Sequence, residues 1–486
     1  MERIRTEILP GVWLTALRTD KFKTAWLSVN LLTQLRRETA ACTAVLPYVL
    51  RRGSTRLPDL ETIAAELENL YGASITPSVR KLGEIQAVGF EADGAVGEEI
   101  FPRLAADVAD LLLHPNTRGG LLRPDIVDSE REKLLERIRA GMNNKRAYAI
   151  ERLYAHMCCC EDYAVPRLGE EADAERIHYR KLTMRYHDVL STSPVEIFYC
   201  GSLEGGRVAR ILTDVLSTMP RGEIDEDIGT DIRMNALEAE PRYVTETLPV
   251  AQGQLAVGYR LGACMTEPDI PALFVFNALY GGCVTSKLFL NVREKLSLCY
   301  YVGSRLSTHK GLLTVTSGID VKNYERALAE ITAQLDAVRT GDFTDGELRS
   351  AIRSVASDLR ATADAPETLD FHIQTKRFLE AIQGMRVAGV DTPNLIPVPL
   401  FSLVYHECIV IPWSMGCRGW GTPERDCGGL HGMLNGGVTM LEFDPCEAEL
   451  RMSQDLTRLN RTVWNREMTV HRFLGDGTSR QQSRFA

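Results

Sequence analysis

One order of secondary-structure signals occurs twice along the chain, and this repeat limits the fold more than any other feature. Strand-like alternation, two helical segments, a second pair of strands and an amphipathic helix follow one another in both copies. LYGASITPSV, starting at Leu70, and LCYYVGSRLS, starting at Leu298, take the same place in the two copies. A strand-and-helix unit that recurs at a long period predicts an α+β fold of tandem duplicated halves, each an antiparallel sheet flanked by helices.

Hydrophobic periodicity predicts the elements of each copy. For the first copy we expect helices over residues 39–52, 59–71, 98–113, 123–157 and 205–219. For the second copy we expect helices over residues 270–280, 287–296 and 323–338. Strands are expected over residues 11–32, 73–91, 193–201, 254–260 and 300–319. Pro47 lies inside the first helix and should kink it, because proline has no N–H to donate.

Charge, hydropathy and cysteine usage exclude several classes of protein. The net charge of -9 argues against nucleic acid as a partner, since phosphate binding needs a basic face. No apolar run approaches the ~18–20 residues that span a bilayer, so we expect no membrane partner. The first residues have no long apolar segment, so we expect no signal peptide. The twelve cysteines form no CxxC pair, which favours thiols in a reducing cytoplasm.

Several local motifs carry a resemblance to a known family. FKTAWLSVNLLT, then LRRGST and LENLYGASI, lie in the first copy, and LYGGCVTSKLFLNVREKLSLCYYVGS lies in the second. These segments resemble the pitrilysin/insulinase family of zinc peptidases over about three quarters of the chain. Within this family, the chain resembles the catalytically inactive member of a bacterial pair of peptidase homologues. The resemblance implies a metallopeptidase-like fold whose two halves enclose a peptide chamber.

The zinc motif of active members is absent from its expected place. There, HxxEH lies on the helix that ends at the segment matched here by GST, starting at Gly53. Two histidines one turn apart ligate zinc, and the glutamate activates water. Counting back from Gly53, the histidine places hold Ala44 and Tyr48, and the glutamate place holds Pro47. The resemblance therefore implies a degenerate zinc site, no metal and no other cofactor, and no catalytic residue.

The remaining candidates for metal binding are equally poor. The third ligand of active members is a glutamate on the later long helix, and the match places Arg137 there, to within a residue or so. Glu130, Glu132 and Glu136 lie nearby, and we expect them to be surface carboxylates on a solvated helix. No two of the nine histidines lie within five residues of one another, which excludes a shifted copy of the motif.

Two residues that face the substrate in active members are retained. In those members, an arginine and a tyrosine seven residues later contact the bound peptide from the second half. Arg293 and Tyr300 match them, so the resemblance implies that both bind substrate. Arginine donates to a peptide carbonyl, and tyrosine stabilises an oxyanion. The alternative is structural: Arg293 pairs with a nearby carboxylate, and Tyr300 is a half-buried core aromatic.

The C-terminal part departs from this pattern. Lysine is absent after Lys376, and three of the five tryptophans lie beyond it: Trp413, Trp420 and Trp464. PLFSLVYHECIVIPW and GGLHGMLNGG resemble a glycoside hydrolase fragment, in which Glu407, Glu424 or Asp426 would line a sugar pocket. A barrel of that kind needs ~200 residues or more, so a working glycosidase is not expected. A fused or misassembled reading frame would also explain this tail.

These observations divide the chain into four parts. We expect a first peptidase-like half over 1–237, a truncated second half over 248–366, a junction over 367–394, and an unrelated glycosidase-like tail over 395–486. The function expected is that of a non-catalytic peptidase homologue, the partner subunit of an intact HxxEH-bearing homologue in peptide binding or processing. The alternatives are a peptide-binding or assembly protein with no role in cleavage, and a carbohydrate-related role of the tail.

Overall fold

The fold is known from a computed structural model, which describes residues 2–231, 241–248, 250, 252–261 and 270–370 and the backbone of residues 406–412. The junction beyond residue 370 and most of the tail lie outside these residues.

The chain divides into two compact units. Among the described residues, the first unit comprises residues 2–231 and 360–370, and the second comprises those between 241 and 359 together with residues 406–412. The sequence boundary proposed at residue 237 lies six positions beyond the observed one, and residues 360–366 are grouped with the first unit rather than the second.

A six-stranded mixed sheet forms the centre of the first unit. In chain order the strands of this unit are β1 (Glu2–Leu9), β2 (Val12–Arg18), β3 (Thr24–Gln34), β4 (Ser74–Leu82), β5 (Ile85–Ala95), β6 (Thr117–Arg118), β7 (Leu121–Leu122) and β8 (Val195–Gly201). The main sheet has the order β1-β2-β8-β3-β5-β4, and β6 pairs with β7 apart from it. Only β2 and β8 are parallel neighbours among these strands, so the sheet is not purely antiparallel as expected.

Eight α-helices accompany these strands in the described part of the first unit. They are α1 (Arg37–Leu50), α2 (Leu60–Asn69), α3 (Ile100–Leu113), α4 (Pro124–Ala140), α5 (Lys145–Met157), α6 (Glu171–Glu175), α7 (Tyr179–Thr192) and α8 (Gly205–Val215). The core combines alternate strand residues such as Leu14 and Leu27 with helix residues such as Ile63 and Leu104, all of them buried. Burying one apolar face of each element against the others is what stabilises such a layered unit.

Local sequence sets the ends of these helices. Asp59 caps α2, because its carboxylate accepts a hydrogen bond from the Thr62 N–H at 2.8 Å. Gly53 follows α1 with φ +149°, a conformation that few other residues adopt. The single helix predicted over 123–157 is wrong, since a 3₁₀ turn over Gly141–Asn143 separates α4 from α5. Asn144 then caps α5 by accepting from the Ala147 N–H at 3.1 Å.

The second unit has a five-stranded sheet. Its strands are β9 (Arg242–Tyr243), β10 (Gly253–Arg260), β11 (Cys299–Ser307), β12 (Leu312–Ile319) and β13 (His406–Pro412). Their order is β11-β12-β10-β13-β9. The described helices are α9 (Ile270–Asn277), α10 (Tyr324–Arg339) and α11 (Asp345–Thr362), and two π-helical segments cover Ala278–Gly282 and Leu288–Lys295. The predicted helices over 270–280 and 287–296 are thus present, but they are partly or wholly of the wider π type.

The two sheets share their strand order when one is read from its opposite edge. In each, an edge hairpin (β4 and β5, or β11 and β12) lies beside a central strand (β3 or β10). A strand later in the chain (β8 or β13) then pairs antiparallel with that central strand and parallel with an earlier one. Strand β13 falls within the segment 395–486 that the sequence separates from the second half, yet its backbone pairs with β10.

No helix in the described ranges is both long enough and apolar enough to cross a membrane.

Candidate functional site

The three zinc-motif positions lie on the second half of α1 and are packed into the first unit. Ala44 is fully buried, and Pro47 is buried among apolar side chains. Pro47 also lines a small apolar pocket with Leu31, Leu112 and Val189. A carboxylate base at this place would therefore face hydrocarbon instead of solvent, and burying an unpaired charge there is costly.

Tyr48 occupies the second histidine place, and the residue across from it is Arg137 on α4. The guanidinium carbon of Arg137 lies 3.9 Å from the centre of the Tyr48 ring, so the two side chains form a cation–π contact. The sequence placed Arg137 at the position of the third zinc ligand. A phenol ring and a guanidinium group thus touch at the two positions that the resemblance assigns to zinc ligands.

Arg137 belongs to a group of charges around Glu130. The Lys133 ammonium lies 2.7 Å from Oε1 of Glu130, and Nη1 of Arg52 donates to the same oxygen at 3.3 Å. Nη2 of Arg137 lies 3.8 Å from the other carboxylate oxygen. The Glu130 side chain is only 4% exposed. The expectation that Glu130 is a solvated surface carboxylate is therefore wrong.

A signal for this burial was present in the sequence. Val127, Glu130 and Leu134 are three and four residues apart, which places them on one helical face, and all three are buried. Lys133 and Arg137 follow Glu130 at three and seven residues, within reach of the same face. Arg52 is far away in sequence, and nothing in its local pattern indicates that it would contact α4.

The charged groups around Glu130 differ from the ligand set of a zinc site. No group of three or more His, Cys, Asp or Glu side chains within them is arranged to hold a metal ion. His114, the nearest histidine in sequence, lies 3.5 Å from Asp110 through its Nδ1. The charged group around Glu130 contains three cations and a single carboxylate, the opposite of the donor set that a zinc ion requires.

Arg293 lies in the second unit, within the π-helical segment Leu288–Lys295. Its Nε lies 3.6 Å from Oε1 of Glu294, and its guanidinium carbon is 4.7 Å from the Phe289 ring centre. The side chain remains 42% exposed. Gly281 allows this region to pack closely, because a Cβ atom there would lie 2.8 Å from the backbone nitrogen of Ser304 on β11.

Tyr300 is exposed at the start of β11. The pairing register of β11 with β12 shifts between Cys299 and Tyr301, so Tyr300 is the extra residue of a β-bulge. Bulges redirect a side chain out of the regular alternation. Tyr300 is 68% exposed, so it is not the half-buried core aromatic of the structural alternative, whereas Arg293 does pair with a nearby carboxylate, Glu294, as that alternative expects. The side chain of Arg293 is thus partly exposed and Tyr300 is exposed in the second unit.

The electrostatic effect of Arg293 extends to the neighbouring thiol. Burial raises the pKa of Cys299, and a hydrogen bond with Ser317 and, to a lesser extent, the positive charge of Arg293 partly oppose this rise. Arg293 thus acts on a group at the base of the same strand that presents Tyr300.

Comparisons with known proteins place the chain among peptidase homologues. Residues 176–355 match a family model described as the peptidase M16 inactive domain. The chain is 32% identical over 364 residues to a probable inactive metalloprotease, YmfF, of Bacillus subtilis, covering 73% of this chain and 84% of that protein.

Solved structures share the fold. A conserved protein from Enterococcus faecalis has a TM-score of 0.70 at 23% identity, covering 84% of this chain and 98% of its own. A peptidase M16 inactive domain from Pseudomonas fluorescens has a TM-score of 0.64 at 15% identity, covering 85% and 98%. These comparisons lend no support to the resemblance of residues 395–486 to a glycoside hydrolase.

Proposed function

The chain belongs to the M16 (pitrilysin/insulinase) peptidase family as an inactive homologue, and from that membership we propose that it is the non-catalytic partner subunit of an intact, zinc-bearing homologue. In this role it binds peptide together with the partner and contributes side chains to peptide processing. A cytoplasmic location for the pair is part of the same proposal.

The observation that carries this proposal is the contrast between the two sets of motif residues. The zinc positions are occupied by Ala44, Pro47 and Tyr48, which supply neither a metal ligand nor a base. Arg293 and Tyr300 are 42% and 68% exposed. A chain without the catalytic residues for hydrolysis, but with exposed side chains that can bind a peptide, is suited to be a subunit that contacts the substrate while a second subunit cleaves it.

The chemistry of the retained pair fits that role. A guanidinium group donates to a peptide carbonyl, and a phenol O–H stabilises negative charge that develops on the carbonyl oxygen. Phe289 and Glu294 both lie beside the Arg293 guanidinium and limit its orientations. The bulge at Tyr300 holds its side chain away from the sheet pairing.

A tandem duplication of the fold is part of the proposal. Its support is the shared strand order of the two sheets, including the parallel pairing of the late strand with an earlier one. The second copy would then be completed by strand β13, from beyond the junction.

Reconstitution tests the partner role. The full chain is mixed with an intact HxxEH-bearing homologue from the same source, and cleavage of a quenched fluorescent peptide is measured against the homologue alone. We expect cleavage to rise on mixing and to saturate at a fixed ratio of the two chains. An equal amount of the chain unfolded by heat serves as the control for added protein.

Two results would contradict the proposal. One is a cleavage rate no higher than that of the homologue alone at any ratio. The other is cleavage by this chain alone that a zinc chelator abolishes. Retention of the peptide without any gain in cleavage would favour the alternative of a peptide-binding or assembly protein.

A further inference from the structure

Three cations share one carboxylate at the place of the lost zinc site. Arg52, Lys133 and Arg137, which we call the cationic cluster, each lie within 4 Å of Glu130. In the part of the chain that the structure describes, no second carboxylate lies within ion-pair distance of any of them. The cluster therefore has three positive charges against one negative charge, an excess of two.

The cationic cluster is accessible although its carboxylate is not. The side chains of Arg52, Lys133 and Arg137 are 32%, 42% and 35% exposed, whereas that of Glu130 is 4% exposed. The negative charge is thus enclosed, and the uncompensated positive charge faces outward. An electrostatic field of this sign attracts an anion from solution.

Arg137 is the member of the cationic cluster whose positive charge is least compensated by Glu130. Its Nη2 is 3.8 Å from Glu130, which is an ion-pair distance but too long for a hydrogen bond. Its Nη1 is buried and has no acceptor among the described residues. The Tyr48 ring supports the plane of the guanidinium at 3.9 Å. The buried Nη1 is not available to a ligand from solution. The part of the guanidinium that is accessible is held in one plane, which suits its donors to a carboxylate.

We propose that the degenerate zinc site has become an anion site, in which the cationic cluster binds a carboxylate of an acidic peptide. The site thus retains its place on the helix pair α1 and α4, but its ligand has changed from a cation to an anion. This inference deepens the proposed function and rests on its premise that the chain holds peptides. It supplies the substrate class: peptides with Asp, Glu or a free C-terminus.

The charge balance favours a peptide carboxylate over a polyanion. The whole chain has a net charge of -9, which repels nucleic acid at long range. Three partly exposed cations around a single point match one or two carboxylates, whereas a nucleic acid requires basic residues spread along a surface.

A pair of matched peptides tests the site. One short labelled peptide contains two glutamates, and the other contains glutamines at the same positions. Binding of each to the full-length chain is measured by fluorescence anisotropy. We expect the glutamate peptide to bind about 10-fold more tightly, and the difference to shrink when ionic strength rises from about 0.05 to 0.5 M.

Variants on one helix locate the effect. Arg137→Met and Lys133→Met should each weaken binding of the glutamate peptide severalfold and leave the glutamine peptide unchanged. Arg139→Met is the matched control, because Arg139 lies on the same helix but pairs with Glu171. Arg137→Lys keeps the charge without the planar fork and should bind with intermediate strength, which provides a second test should Arg137→Met unfold.

The outcomes separate this inference from the proposed function. Equal affinity for the two peptides, or a glutamate preference that survives both Met substitutions, overturns the anion site while leaving the partner role intact. A glutamate preference that depends on Arg137 supports the anion site even where mixing with the homologue gives no gain in cleavage. Absence of binding by either peptide overturns the anion site together with its premise.

Discussion

The zinc-motif region of the first unit and the Arg293 region of the second differ in how far their side chains are exposed. In the first, Ala44 and Pro47 are buried and the ring of Tyr48 is covered by a guanidinium. In the second, Arg293 and Tyr300 remain 42% and 68% exposed. The lost positions have become part of the packing, whereas the retained ones still face outward.

The difference shows what replaces a metal in a fold built to hold one. A zinc ion joins residues of two helices through its ligands, and its loss removes that link. Here Tyr48 on α1 contacts Arg137 on α4, and Arg52, just after the end of α1, forms an ion pair with Glu130 on α4. The Arg293 region contains no position that the resemblance assigns to a metal ligand.

The largest expected effect tests the retained region. Arg293→Ala should lower peptide cleavage by the mixed subunits by about 10- to 1,000-fold, because a donor to the transition state is removed. Cleavage is measured at a saturating ratio of the two chains. Arg326→Ala is the control, an exposed arginine of the same unit on α10 that lies outside the motif. Equal losses in both variants would mean that Arg293 acts through general charge alone.

The second largest effect concerns the contribution of the zinc-motif region to the free energy of unfolding. Glu130→Gln should lower the free energy of unfolding by about 1–3 kcal/mol, because three cations lose their shared buried carboxylate. The partial exposure of the cations keeps the loss below that of a fully buried ion pair. Urea unfolding followed by circular dichroism measures it.

Glu132→Gln provides the matched control for that measurement. Glu132 lies on the same helix with its side chain 61% exposed, and it pairs with Arg131. Its substitution should change the unfolding free energy by less than about 0.5 kcal/mol. Similar losses for Glu130 and Glu132 would show that burial of the carboxylate does not matter, and the contrast between the two regions would lose its energetic basis.

Much of this contrast could be predicted from the sequence, because helical spacing is local information. Counting from Gly53 located Ala44, Pro47 and Tyr48 on α1, and the amphipathic pattern located α2 and α3 to within two residues. The match also placed Arg137 opposite the motif, where the structure has it in contact with Tyr48. These inferences depend on short separations along the chain.

The features that the sequence did not predict depend on contacts between segments far apart in the chain or on details of the backbone conformation. The ion pair of Arg52 with Glu130 joins residues 78 positions apart, which no local pattern encodes. The break between α4 and α5 follows from the 3₁₀ turn at Gly141, where Asn144 offers a cap that competes with a continuous helix. The π-helical turns carry the same apolar spacing signals as an α-helix over so short a length, so periodicity did not separate them.

A smaller effect tests the contact between Tyr48 and Arg137 itself. The double-mutant cycle of Tyr48→Leu and Arg137→Met should give a coupling free energy of about 0.5–1 kcal/mol, the range of a partly exposed cation–π pair. Urea unfolding of the four proteins supplies it. The same cycle with Tyr48→Leu and Arg139→Met should give no coupling, since Arg139 pairs with Glu171. Additivity in the first cycle would show that the two side chains touch without stabilising each other.

The smallest effect returns to the Arg293 region and concerns the thiol of Cys299. Burial raises the pKa of this thiol, and the positive charge of Arg293 opposes the rise by stabilising the thiolate. Arg293→Gln removes the charge, so the pKa of Cys299 should rise further and less thiolate should be present near neutral pH.

The rate of alkylation of Cys299 by iodoacetamide, measured by mass spectrometry, should then be lower than in the unmodified chain, because only the thiolate reacts. The difference should vanish as the pH rises above the thiol pKa in both proteins, with alkylation of Cys283 as the internal reference. An equal rate at every pH would show that the charge of Arg293 does not act on the thiol of Cys299.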